Sequence, residues 1–83
     1  MSRAIVVGAP DWKPLEGVLS SDDCSCFMYM GVTNGIVLYK HRDTRRYLNI
    51  DEVTGRFFRY SDGDYIEINR EQAIEHVYGS RQI

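Results

Sequence analysis

The chain has 83 residues, 43% of them hydrophobic and 27% charged, with a net charge of −2. That length supports one small domain spanning 1–83, and it leaves little room for a buried multi-step active site. The composition excludes a low-complexity chain, and no apolar run approaches the ~20 residues of a membrane span.

Ala4 to Val7 is a short β-branched run closed by Gly8 and Pro10, which predicts a first buried strand, either at an edge of the sheet or at its centre. AIVVGAP is too short for a signal-peptide core, and only Arg3 precedes it. Asp11 is placed to cap a brief helix that carries Pro14 in its first turn, with Trp12, Leu15, Val18 and Leu19 on one stripe. The helix is expected to end in a polar turn at Ser20-Ser21-Asp22-Asp23.

Cys24 and Cys26 are the only cysteines. On a strand they lie ~7 Å apart at Cα, beyond easy disulfide geometry. A secreted chain of this size usually carries more crosslinks, so free thiols and a cytoplasmic location are expected. Together with His41 and His76 the cysteines reach the count for a zinc site, but one intervening residue is too few for a zinc knuckle. No metal and no cofactor is expected. The sequence contains no phosphate-cradling glycine loop, Gly-x-Ser-x-Gly or HExxH motif.

From Cys26 to Tyr60 the chain reads as strand–turn–strand repeated. Asn34-Gly35 is the preferred two-residue hairpin turn, because both positions must take positive φ. Closing there pairs Val32 with Val37, Met30 with Tyr39 and Met28 with His41. The turn around Arg42-Asp43-Thr44-Arg45 sets His41 opposite Arg46, and Leu48 then lies beside Tyr39 and Ile50 beside Val37. Directly opposed residues share a face. One face therefore collects Met28, Met30, Val32, Val37, Tyr39, Leu48 and Ile50 as core, and the other collects Phe27, Tyr29, Ile36, Leu38, Lys40, Arg45, Tyr47 and Asn49.

The loop before Arg56 leaves two readings. Four residues put Phe57 on the core face with Phe58 and Tyr60 opposite, while five reverse this. Asp62-Gly63 marks another tight turn into Tyr65–Ile68. Asn69 and Gln72 stand at capping-box spacing, and Ile68 with Ala73 fits a hydrophobic staple. A helix with Ala73, Ile74 and Val77 inward follows, ended by Gly79, with a loose tail at residues 80–83. The predicted fold is α+β: a four- or five-stranded antiparallel meander, with a short N-terminal helix and a capped C-terminal helix on one face.

Charge is uneven along the chain. Residues 25–60 carry Lys40, Arg42, Arg45, Arg46, Arg56 and Arg59 against Asp43, Asp51 and Glu52, and acidic segments lie on either side. Such charges either pair within the chain or bind an anion, and pairing is the blander expectation. The expected function is a non-enzymatic interaction protein, an adaptor or inhibitor. Its partner-binding residues are Phe27, Tyr29, Leu38, Lys40, Arg42, Arg45, Arg46 and Tyr47, with a protein partner or a second copy of the chain on that face.

Two alternatives use the same segment. Single-stranded nucleic acid would stack bases on the aromatics and set phosphates on the cations, although the acidic domain charge argues against it. A small phosphoryl-transfer or hydrolytic enzyme would centre on His41 and Arg46, with Cys26 as a further group. Tyr47 points away from both His41 and Arg46 on a hairpin, so a converging catalytic site is poorly supported.

Overall fold

Asn34 and Gly35 take φ of 51° and 79°, closing the hairpin between β1 (Phe27–Thr33) and β2 (Ile36–His41). The computed structural model describes residues 10–79, and its five strands pair antiparallel in chain order. They continue as β3 (Tyr47–Asp51), β4 (Phe57–Ser61) and β5 (Asp64–Ile68). The expected strand at Ala4–Val7 and the tail at 80–83 lie outside the described residues.

Loop length settles which face Phe57 takes. Asp51 N donates to Arg56 O at 2.8 Å and Gly55 N to Asp51 O at 2.9 Å, so the β3–β4 loop has four residues. Phe57 then stands opposite Ile50 on the core face, and Phe58 opposite Asn49 on the other. At the next turn Asp62 and Gly63 take φ of 51° and 80°, which pairs Tyr60 with Tyr65.

The register of β1 differs from the expectation. Val32 pairs with Val37 as anticipated, but Gly31 pairs with Leu38 and Tyr29 with Tyr39, leaving Met30 without an opposite residue. This is a β-bulge, and Gly31 permits it with φ of 116°. One extra residue flips everything before it. Met28 therefore opposes Lys40, while Phe27 and Tyr29 turn to the core face, where Phe27 is 1% exposed. Their expected placement on the open face is corrected accordingly.

The helices lie over that core face. In α1 (Lys13–Glu16), Asp11 Oδ1 accepts from Lys13 N at 3.2 Å, and Leu15 is fully buried. The polar stretch expected as a turn is itself a helix, α2 (Ser21–Cys24), because Ser20 Oγ accepts from Asp23 N and satisfies its first turn. α3 (Arg70–Tyr78) has the expected capping box: Asn69 Oδ1 accepts from Gln72 N, and Gln72 Oε1 accepts from Asn69 N. A nine-residue helix is marginal by itself. Ala73 and Val77 hold it by packing against Leu48, Ile50 and Phe57 in the shared core. Burial of side chains such as Val77 contributes on the order of 1.5–3 kcal/mol each, more than the ~1 kcal/mol of a cap.

Tyr39 ties α1 to the sheet. It is fully buried, its ring lies 5.5 Å from that of Trp12, and its hydroxyl donates to Asp11 O. The opposite sheet face is less open than its sequence suggests, since Ile36, Leu38 and Asn49 are all buried. On that face Tyr60 and Glu67 are exposed, while Tyr47, Phe58 and Tyr65 are half-buried. No helix among the described residues is long and apolar enough to cross a membrane.

Candidate functional site

β3 and β4 pair through Ile50–Phe57 and Asn49–Phe58 and no further, so Leu48–Arg59 and Tyr47–Tyr60 fall outside the ladder. A cleft of about 360 Å3 lies at this unpaired stretch. Its walls come from both sides of the sheet. Leu38, Tyr47, Asn49, Tyr60 and Tyr65 belong to the face away from the helices. Arg46, which opposes His41 across the hairpin, and His76 of α3 join them from the helix side.

Asn49 is the least comfortable residue of the cleft. It is 2% exposed, and Nδ2 donates to Phe58 O at 3.2 Å, while Oδ1 is buried with no partner among the described residues. The bond to Phe58 fixes the amide orientation, because only the nitrogen can donate to a carbonyl. An unsatisfied buried acceptor costs on the order of 1–3 kcal/mol. A donor placed against Oδ1 relieves that cost.

The electrostatics are cationic on one side and phenolic on the other. Partial burial, then Arg46 and Arg59, hold the His76 imidazole below its ordinary range, which favours the neutral ring. Partial burial, then Tyr60 and Tyr47, push the Tyr65 phenol up, so it stays a neutral donor. The Tyr60 and Tyr65 rings meet with centroids 5.0 Å apart, and Lys40 Nζ lies 5.7 Å from the centre of the Tyr47 ring.

The expected site residues separate into groups. Leu38, Arg46 and Tyr47 line the cleft, and Lys40 adjoins it through Tyr47. Arg42 turns the other way, with Nε donating to Ser25 O at 3.3 Å beside α2. Arg45 stands on the hairpin tip at φ of 66°. Phe27 and Tyr29 belong to the core and its edge. Asn49, Tyr60, Tyr65 and His76 were not among the expected site residues. The Asp62-Gly63 turn does signal the Tyr60–Tyr65 pair, whereas nothing in strand periodicity signals His76.

The expected pairing of charges within the chain is not what the described residues show. Arg56–Glu67, at 3.4 Å and exposed on both sides, is their only ion pair. Exposed pairs of this kind contribute at most ~1 kcal/mol. Arg42, Arg45, Arg46 and Arg59 have no acidic partner among the described residues. Nor do three or more His, Cys, Asp or Glu side chains converge there as metal ligands. Comparison with protein-family models, with curated proteins and with solved structures gave no match.

Proposed function

We propose that this domain is a non-enzymatic binding module that docks a partner protein through the β3–β4 cleft and the adjoining β2–β3 hairpin. The observation that carries the reading is the set of arginines without acidic partners in a chain of net charge −2. Acids outnumber bases, yet Arg45, Arg46 and Arg59 stay unpaired among the described residues, and Arg46 lines the cleft with three tyrosines. Arg and Tyr are the side chains that most often anchor protein interfaces.

Affinity capture of the tagged chain from its native lysate, with and without nuclease, tests this. A stoichiometric protein that survives nuclease and is lost with Tyr47→Ala or Arg45→Ala is the expected result. Undiminished capture by both variants removes this surface from the account. A second reading, single-stranded nucleic acid, draws on the contact between the Tyr60 and Tyr65 rings, Tyr60 being 61% exposed. Its signature is capture that vanishes with nuclease and an affinity that falls steeply with salt.

A further inference from the structure

Three features of the cleft specify its ligand jointly. Asn49 Oδ1 is buried and lacks a donor. Arg46 lines the wall without an acidic partner among the described residues. The phenolic side, Tyr47, Tyr60 and Tyr65, offers flat amphipathic surface over a volume of about 360 Å3, at the small end of ligand pockets. A ligand that satisfies all three carries both a negative charge and an N–H donor. An extended peptide has both, with a side-chain carboxylate and a main-chain amide on each acidic residue.

We propose that the cleft receives an acidic segment of a partner protein, one Asp or Glu carboxylate meeting Arg46 while a main-chain N–H donates to Asn49 Oδ1. This rests on the binding-module reading and adds the chemistry of the partner. The missing donor at Asn49 Oδ1 favours an acidic peptide over a phosphodiester strand, whose backbone carries charge but no N–H. His76 is consistent with the assignment. The two guanidiniums that disfavour its protonation are offset once a carboxylate enters.

The test is a nuclear magnetic resonance titration of the full chain with three probes: an acetylated and amidated hexaglutamate, the matching hexaglutamine, and a thymidine hexanucleotide. Hexaglutamate is expected to shift the Asn49 side-chain amide and the His76 ring saturably, and to raise the titration midpoint of His76. Hexaglutamine is expected to leave both in place. Arg46→Gln and the exposed Tyr60→Ala should each weaken hexaglutamate by about tenfold, as loss of a charge-assisted or anchoring contact does.

Unmoved Asn49 and His76 signals, equal shifts with hexaglutamine, or shifts confined to Arg42–Arg45 overturn the inference. Tighter binding of the hexanucleotide overturns it in favour of nucleic acid. Failure of hexaglutamate alongside a nuclease-resistant captured protein sinks this ligand assignment alone. A capture containing no protein sinks the module reading itself.

Discussion

His41 and Asp51 occupy the same position in successive hairpins and do the same work with different chemistry. His41 Nδ1 accepts from the main-chain N–H groups of Asp43 and Thr44 at 3.1 and 3.3 Å. Asp51 Oδ1 accepts from those of Val53 and Thr54 at 2.8 and 2.9 Å. The threonine hydroxyl of each loop then accepts from the following arginine, Arg46 N at 3.3 Å or Arg56 N at 3.2 Å. One loop design is thus used twice, and the second copy shows what the first gives up.

That difference falls at Arg45. Its counterpart Gly55 has φ of 77°, where glycine is at ease, while Arg45 holds φ of 66° with a full side chain. Arg45→Gly should stabilise the fold by about 0.5 kcal/mol, with the greater freedom of glycine in the unfolded chain limiting the gain. Thermal unfolding should show a rise of a few degrees for a domain of this size. Partner capture should fall at the same time. A rise in stability with capture unchanged would leave Arg45 outside the contact.

Asp51 gives a pH test of the shared loop. Hydrogen bonds from Thr54 and then Val53 hold its carboxyl below the ordinary carboxylate range. A depressed folded-state value means that the ionised form is favoured by folding. Its stabilisation is present above the unfolded value and is lost as pH falls through the folded one. Asp51→Asn retains the acceptor oxygen and removes the charge. Its stability profile should therefore be flatter than that of the parent below about pH 4, as followed by urea unfolding. Parallel profiles would contradict this.

The bulge at Gly31 makes a sharper prediction. With φ of 116°, any side chain there is strained, and the residue is buried. Gly31→Ala should cost about 1–3 kcal/mol, measured by urea unfolding. The loss should be accompanied by changed near-ultraviolet signals from Tyr29 and Tyr39, whose pairing the bulge sets. A neutral substitution would contradict the bulged register.

His76 reports on the cationic side of the cleft. The imidazole is held low by partial burial first, then by Arg46 and Arg59. For a base, a lowered folded value means that protonation opposes folding: the cost is absent above the ordinary value near 6.5 and grows as pH falls towards and below the folded one. Arg46→Gln should move the His76 midpoint up, read from its ring carbon signals. No movement would separate Arg46 from His76.

Much of this architecture is legible in the sequence, because short-range chemistry decides it. Asn34-Gly35 and Asp62-Gly63 each fix a turn, and Asn69 with Gln72 fixes the start of α3. Face assignment by alternation holds from Gly31 onward and fails before it, because a bulge hidden at one glycine reverses Phe27 and Tyr29. The stretch Ser20–Asp23 reads as a turn because its polarity masks a capped helical turn.

The cleft is less legible for a geometric reason. Strand alternation sorts residues by face, but this site forms where β3 and β4 stop pairing, so it draws from both faces at once. Arg46 and Tyr47, neighbours pointing opposite ways, both reach it. Only tertiary placement of α3 brings His76 there. The repeated loop escapes notice because only Thr44/Thr54 and Arg46/Arg56 recur by identity, while His41 and Asp51 match in hydrogen-bonding role.

The most direct test of the binding account compares two arginine variants in affinity capture from native lysate. Arg46→Gln and Arg56→Gln remove the same charge, but Arg46 lines the cleft whereas Arg56 is paired with Glu67 on the surface. The account predicts that Arg56→Gln captures the partner as the parent chain does, while Arg46→Gln loses most of it. Equal capture by the two variants would contradict the assignment of the cleft as the binding site.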